Sequence, residues 1–270
     1  MFSYVEEHIA GPGLEITFHL TPWDRPIFGG DTVTISELRL HDPAAAAPTF
    51  ARFKEWCIDN RILLVSCRLA QDRLAACGFL EANGCRFIEL NYLPSIRNLG
   101  RFNNDPEIDI LPALPSDAPE ISAFVAEAFT TGRLHADPQI APEIGKRRYT
   151  AWVLNAFENP AQRVLKYLMG GRLIACFVVG LPTIPTSTWS LFCLAPGLAG
   201  RGLGQRCFKA TLSLHHREGV EQILSSVSSL NAASFNMHLA LGFRFPPPLI
   251  TLHWCPLGPV HHVEPSELSP

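Results

Sequence analysis

Apolar and polar residues alternate over Leu14 to Leu20 and Thr32 to Leu40, which predicts two strands, whereas Pro48 to Asn60 sets Phe50, Phe53, Trp56 and Cys57 at helical spacing. Leu63 to Cys67 is a short apolar run of the kind a buried strand takes. Leu74 to Asn83 then reads as a helix stopped by Gly84, and Cys85 to Leu93 as a further strand. A β/α arrangement is implied. The pattern lapses in Pro94 to Asp105, polar and rich in Asn and Arg, which predicts a linker with a boundary near residue 103.

Beyond the linker, Ile108 to Pro112 predicts a strand, and Ser116 to Glu120 carries the signals of a helix start for a helix running to Phe129. A second helix follows from Pro142 to Phe157. Val164 to Met169 and Leu173 to Gly180 flank Gly170-Gly171, a pair suited to a two-residue hairpin turn. Ser187 to Leu194 reads as a strand, Gly200 to Glu218 as a helix, Gln222 to Val227 as a strand and Ala232 to Leu241 as a helix stopped by Gly242. Leu249 to Cys255 closes the series as a strand. The expected division is 1–103 for a small N-terminal α/β domain with its linker, 104–257 for a larger mixed α/β domain, and 258–270 for a poorly ordered tail. Leu80 to Leu90 and Leu239 to Phe245 echo each other as helix end, glycine and strand. The echo reads equally as an ordinary corner or as a degenerate copy of one module.

Composition narrows the classes. With 270 residues, 47% hydrophobic and 17% charged, the chain has ample core material, and its net charge of −3 offers no field for nucleic acid or an anionic membrane. The 8 cysteines lie in apolar segments without paired spacing, as small core residues of a reducing compartment do. The start, "MFSYVEEHIAGPG", lacks a basic region and an apolar run, and the longest apolar run, Leu173 to Leu181, is short for a bilayer. A cytoplasmic protein is expected, with no nucleic-acid or membrane partner. The histidine pairs His215-His216 and His261-His262, with His253-x-Cys255, have no spacing of a closed zinc site, and no metal is assigned.

The candidate chemistry concentrates in "APGLAGRGLGQRCF", Ala195 to Phe208. A helix opening with Gly200-Arg201-Gly202-Leu203-Gly204-Gln205 presents backbone N–H groups without intrahelical acceptors, in a positive dipole field. Glycines at 200, 202 and 204 would clear the approach of a phosphate, and Arg201 and Arg206 could add charged contacts. A pyrophosphate fits. A P-loop would need Gly-Lys-Ser/Thr here, and a dinucleotide turn would need GxGxxG with a later acidic residue; neither occurs.

Ala199-Gly200-Arg201-Gly202-Leu203-Gly204, late in the domain and after three strands, resembles the Arg/Gln-x-x-Gly-x-Gly/Ala motif of GCN5-related N-acetyltransferases, with Ala199 in the place of Arg or Gln. Asn231, His238 and Gly242-Phe243 follow in the family's order, His238 standing where the family has Tyr. "PWDRPIFGG" (22–30), "AFTTGRLHADPQI" (128–140) and "RRYTAWVLNAF" (147–157) are similar to segments of the dTDP-fucosamine acetyltransferase-like group, except at Ile27, Gly132 and Leu134. The resemblance implies a mixed, mostly antiparallel sheet flanked by helices, preceded by a smaller α/β domain. It implies acetyl transfer from acetyl-CoA to a primary amine of a small molecule, with an amino sugar on a nucleotide as the finer expectation. Other small-molecule or peptide amines, and a weak acyl-CoA-binding protein, are its alternatives, and a homodimer is admitted.

The resemblance also assigns residues. Ala199 to Arg206 and Asn231 would contact the cofactor, and the backbone N–H of Leu194 would polarise the thioester oxygen. His238 would be the acid for the leaving thiolate, although a histidine with pKa about 6.5 is mostly neutral where a thiol of about 8.5 is protonated. The alternative is a His238 that only packs or hydrogen-bonds. Asn231 equally suits a helix cap. Arg133, His135 and Asp137 form either a solvated loop or part of the acceptor pocket, where Arg133 would meet a phosphate and His135 or Asp137 would relay a proton.

Overall fold

A computed structural model describes residues 5–182 and 185–261. In chain order the elements are β1 (Glu7–Gly11), β2 (Leu14–Leu20), α1 (Arg25–Phe28), β3 (Thr32–Leu40), α2 (Ala47–Asp59), β4 (Leu64–Ala70), α3 (Leu74–Ala82), β5 (Arg86–Tyr92), β6 (Ser95–Arg97) and β7 (Asp109–Pro112). They continue with α4 (Ala118–Ala128), α5 (Arg133–Ala136), α6 (Pro142–Glu158), β8 (Gln162–Met169), β9 (Arg172–Gly180), β10 (Thr186–Leu194), α7 (Leu203–Arg217), β11 (Gln222–Ser225), β12 (Val227–Ser228), α8 (Ala232–Ala240) and β13 (Leu249–Trp254). None of the helices among the described residues is long and apolar enough to cross a membrane.

The chain forms two compact units, and neither is a contiguous block. One holds Tyr92–Thr130 and Tyr149–Pro246; the other holds the described residues of Phe2–Asn91, Thr131–Arg148 and Pro247–Pro270. The expected division at residue 103 therefore differs from the contacts, which return 131–148 and the C-terminal strand to the N-terminal segment. That N-terminal unit orders its strands β1-β2-β3-β4-β13-β5. β13 enters antiparallel to both β4 and β5, filling the gap that α3 leaves between two parallel strands. Phe50, Phe53 and Cys57 of α2 and Ala76, Cys77 and Leu80 of α3 share one apolar core with Ile16, Phe18, Val65 and Leu252, so both helices cover the same face of the sheet. β1 escapes the sequence pattern because its residues are exposed or only half-buried.

The second unit, which contains the glycine stretch 195–208, the cradle, is a sheet in the order β6-β11-β10-β9-β8-β7, antiparallel except where β10 meets β11. β9 is buried on both faces: Phe177 and Val179 join Phe208 and Leu212 of α7 on one side, while Cys176 and Val178 join Phe124 of α4 and Val153 of α6 on the other. An uninterrupted apolar strand is the expected result of such double coverage. Gly170 and Gly171 close the β8–β9 hairpin with φ of 57° and 75°, the left-handed pair that a type I′ turn requires.

Three further expectations change. The supposed linker contributes β6, an edge strand too short and too polar to register as one, whose Ile96 alone of the three is buried. α7 begins at Leu203 rather than Gly200, because Gly200 and Gly202 have φ of 78° and 74°, outside the helical region. The tail is held at its start: buried Val260 exchanges backbone bonds with Gln139 and Ala141, at 2.6 and 3.0 Å. The remainder of that segment, 262–270, lies outside the described residues. The mixed, mostly antiparallel α/β class stands, and it applies to both units.

Candidate functional site

The pairing of β10 with β11 covers only part of β10. Thr186 to Trp189 lie in parallel register with Gln222 to Ser225, and there the ladder ends, while β10 runs on to Leu194 beside β9. A register shift in the β10–β9 pairing, between Trp189 and Leu191, falls where the β10–β11 ladder ends. All four residues of β11 are used in that ladder, so beyond Trp189 the edge of β10 that faced β11 has no ladder partner among the described residues; this open edge, Ser190 to Leu194, is termed the wedge. Ala195 N–H donates to Ile174 O on β9 at 2.8 Å. Since successive residues of a strand turn their N–H groups to opposite edges, the N–H of Leu194 faces the wedge.

The turn after β10 leads straight into α7. Gly197, Gly200 and Gly202 have φ of 76°, 78° and 74°, and a Cβ built on any of them meets nothing within 4 Å. Glycine is needed at these positions for backbone conformation, and the outer side of the turn stays open. Gly202 is the N-cap of α7, and the first N–H in the helix ladder is that of Arg206, which bonds to Gly202 O at 3.3 Å. The N–H groups of Leu203, Gly204 and Gln205 precede any intrahelical acceptor, so a bare helix start sits at the mouth of the wedge.

Gly204 differs from its neighbours. A Cβ there would lie 3.3 Å from Met237 Sδ and 3.7 Å from Phe192 Cε1. Its bareness lets α7 approach α8 and does not clear a path for an anion, contrary to the expectation for all three glycines. Arg206 is also otherwise engaged. Its Nε donates to Asp105 Oδ2 at 2.7 Å, and its Nη2 donates to Asp105 Oδ1 at 2.9 Å and Glu107 Oε2 at 2.5 Å. The hydrogen bond from Arg206 holds the Asp105 carboxyl below its usual range. These groups line a cavity of about 690 Å³ shared with Arg101, Phe102 and Lys209. Arg201, exposed and without a hydrogen bond or ion pair among the described residues, is the arginine of the turn with its charge available; Ala199 beside it is exposed too.

Asn231 caps α8: its Oδ1 accepts from Ser234 N at 3.0 Å. His238, one face of the same helix further on, is 2% exposed and packed against Phe208 and Phe243. Its Nδ1 lies 2.7 Å from Ser234 O and its Nε2 3.0 Å from Ser225 Oγ, at the end of β11. Burial lowers its pKa, against the raising effect of the Ser234 carbonyl. A buried ring of lowered pKa is neutral at pH 7 and is not a standing imidazolium donor. The thiols are equally inert: all eight cysteines are buried, and burial pushes Cys207, beside the cradle, up to about 12.

Arg133, His135 and Asp137 belong to the N-terminal unit. Two of them join through a residue that the sequence reading considered only as a metal ligand. Arg133 Nη1 donates to Ser66 Oγ at 3.1 Å and to His253 Nε2 at 2.8 Å, and His253 Nδ1 donates to Asp137 Oδ2 at 2.8 Å. Burial, with Arg133 adding, brings His253 down to about 4 despite the Asp137 contact. Burial alone would raise Asp137, but the bonds from His253 and the Gln139 N–H bring it below its ordinary value, so it is a locked carboxylate rather than a proton relay. His135 is not a member of that chain, and its ring is so close to Gly145 of α6 that a Cβ there would be 2.7 Å away. Arg148, from the 147–157 segment, pairs with buried Asp24 of "PWDRPIFGG". Ser66 and His253 were missed, although "VSCRL" and "TLHW" place polar residues at every second position of otherwise apolar strands.

The fold can be compared with known proteins on this basis. No family model matches the sequence, and no curated protein does. Among solved structures, the GCN5-related N-acetyltransferase from Sphaerobacter thermophilus superposes with a TM-score of 0.63 at 12% identity, over 93% of this chain and 79% of that one. A functionally unknown conserved protein from Staphylococcus epidermidis ATCC 12228 gives 0.65 at 11% identity, over 92% and 94%. A tandem GNAT protein from the clavulanic acid biosynthesis pathway gives 0.57 at 13% identity, over 90% and 79%. The chain therefore has the fold of the GCN5-related N-acetyltransferases, and the likeness to a tandem member extends it over both units. At such identities the likeness is one of fold, and function rests on the site.

Proposed function

We propose that the protein transfers an acetyl group from acetyl-CoA to a primary amine of a small molecule. The observation that carries this reading is the open edge of β10 beyond the end of β11, which leads into a glycine turn at the bare start of α7 and towards which the Leu194 N–H faces. Open backbone N–H groups at a helix start suit a pyrophosphate, and the wedge suits an extended chain with amide groups of its own. Acetyl-CoA supplies the activated acyl group. The open turn at Gly200 to Gly202, the bare N–H groups of Leu203 to Gln205 and the Arg201 side chain hold its phosphates, Ala199 contributing backbone only, and the Leu194 N–H stabilises charge on the thioester oxygen.

His238 enters this reading as a neutral ring behind Ser225; the attacking amine gives up its proton to solvent as the C–N bond forms and the C–S bond breaks, and the departing thiolate takes a proton from solvent. Arg206 and Asn231 support the cradle from within the protein, through Asp105 and the α8 cap. On the acceptor side, Arg133 is the group with donors to spare. The amino-sugar nucleotide remains the finer proposal, resting on the 22–30, 128–140 and 147–157 segments.

Calorimetric titration with acetyl-CoA, followed by thiol release in the presence of amino-sugar nucleotides and simpler amines, tests the reading. Saturable heat and amine-dependent release are expected. Absence of binding overturns it, and binding without release on any amine replaces it with an acyl-CoA-binding protein.

A further inference from the structure

The N-terminal unit's sheet has a polar face. Val65, Cys67, Leu69 and Leu252 pack into the apolar core, so by strand alternation Ser66, Arg68, Thr251 and His253 face the other way. Register sets Ser66 opposite His253, and Arg68 and Glu89 on either side of Thr251. Arg133 of α5 is tied to the first of these rows by its bonds to Ser66 and His253. A guanidinium only donates, so His253 Nε2 is unprotonated and the ring is neutral; the positive charge of Arg133 is not cancelled by what it touches.

Two of the carboxylates nearby are committed, and the third, Glu89, 3% exposed, favours the charged forms of both Arg68 and Arg133, while several donors are not bonded. Asp24 pairs with Arg148, and Asp137 with His253 and the Gln139 N–H. Among the described residues, by contrast, Nε and Nη2 of half-buried Arg133 have no partner, and the exposed Arg68 makes no hydrogen bond or ion pair. Thr251, 0% exposed, leaves its Oγ1 unpartnered between Arg68 and Glu89. A buried hydroxyl without a partner costs free energy that a ligand would recover.

We propose that this face binds the oxyanion of a small ligand, a carboxylate or a phosphate, through Arg68, Arg133 and Thr251. Cross-strand neighbours have Cβ atoms about 5 Å apart, within the span over which two side chains grip one oxyanion. Arg133 is held rigid by Ser66 and His253, which keeps its remaining donors oriented. Burial and the like charges of Arg148 and Arg68 bring Arg133 down to about 9 in spite of Asp24 and Glu89, so a further anion would still favour its charged form. The proposal deepens the acceptor side of the transfer reading, and rests on it only in calling the ligand an acceptor.

The test is calorimetric titration of the full chain at low salt with glycerol 3-phosphate, glycerate and glycerol. The wild type, Arg68→Met and Thr251→Val are compared, and each sample is titrated separately with acetyl-CoA. Saturable binding of one or both anions and none of glycerol is expected, weakened about tenfold in each variant while acetyl-CoA binding is unmoved. The arm that binds distinguishes phosphate from carboxylate. Failure of both anions, or anion binding that both variants leave within about twofold, overturns the site. Failure of acetyl-CoA with the anions still binding overturns the transfer reading and leaves the site standing.

Discussion

The His238 ring is fixed as a neutral tautomer by Ser234: the carbonyl 2.7 Å from Nδ1 can only accept, so Nδ1 carries the proton and Nε2 accepts from the Ser225 hydroxyl at 3.0 Å. If this ring were the acid in acetyl transfer, replacing it would remove a titrating limb from the rate profile. With the proton locked on Nδ1, His238→Phe is expected to keep the shape of the kcat profile from about pH 6 to 9. A limb present in the wild type and absent from the variant would restore the imidazolium acid.

Acid should unfold the protein readily. His215 and His253 are both brought down to about 4, chiefly by burial, from an unfolded value of 6.5, and His238 is lowered in the same sense. A depressed folded pKa means that the unfolded chain binds more protons, so the stabilisation is complete above pH 6.5 and is lost as pH falls towards 4. At pH 5 each of these two sites costs about 2 kcal/mol. The bonded carboxylates Asp137 and Glu218, also lowered, act in the same direction. Urea unfolding at pH 5 and pH 7 checks this; equal midpoints would contradict it.

The two arginines of the cradle should behave differently. Arg201 is exposed and unpaired, whereas Arg206 is bonded to Asp105 and Glu107. Arg201→Ala is expected to weaken acetyl-CoA binding about fivefold or more, and Arg206→Ala by less than about twofold, in calorimetric titration at low salt.

The glycines separate in the same way. Gly200→Ala and Gly202→Ala force a Cβ into left-handed backbone and should each cost about 1–2 kcal/mol in chemical denaturation. Gly204→Ala sits in a helix, gains about 1 kcal/mol of propensity, and asks only that the flexible Met237 side chain give way from 3.3 Å. A stability near that of the wild type, with acetyl-CoA binding retained, is expected for it. Loss of binding in Gly204→Ala would return this residue to the phosphate path.

Leu194→Pro removes one N–H that faces the wedge and leaves the bond from Ala195 to Ile174 in place. Acetyl-CoA binding is expected to persist while turnover falls about a hundredfold. Equal losses of both would point to a strand that no longer forms.

Most elements were legible because their periods are strong: Leu14 to Leu20 and Thr32 to Leu40 are strands to the residue, and the Gly170-Gly171 turn follows from backbone freedom alone. β1 and β6 were hidden because an edge strand with little buried surface writes little period into the chain. The start of α7 was read one turn early because glycines admit both helical and left-handed backbone, and composition does not say which. The cradle was legible as a place but not in its parts: that Arg206 answers to Asp105, 101 positions away, is a long-range fact.

The sequence by itself determined the periods, the turns and the location of the glycine cradle, since these depend on residues a few positions apart. Only the tertiary structure decided that β13 returns between β4 and β5, that the β10–β11 ladder stops at Trp189, and that half-buried Arg133 joins buried Ser66, Asp137 and His253 in one hydrogen-bonded chain. Strand alternation tells that a residue faces away from one core, but not what will cover it. In the N-terminal unit the covering segment comes from a distant part of the chain, and burial there turns polar strand positions that a local reading assigns to solvent into a locked, charged constellation.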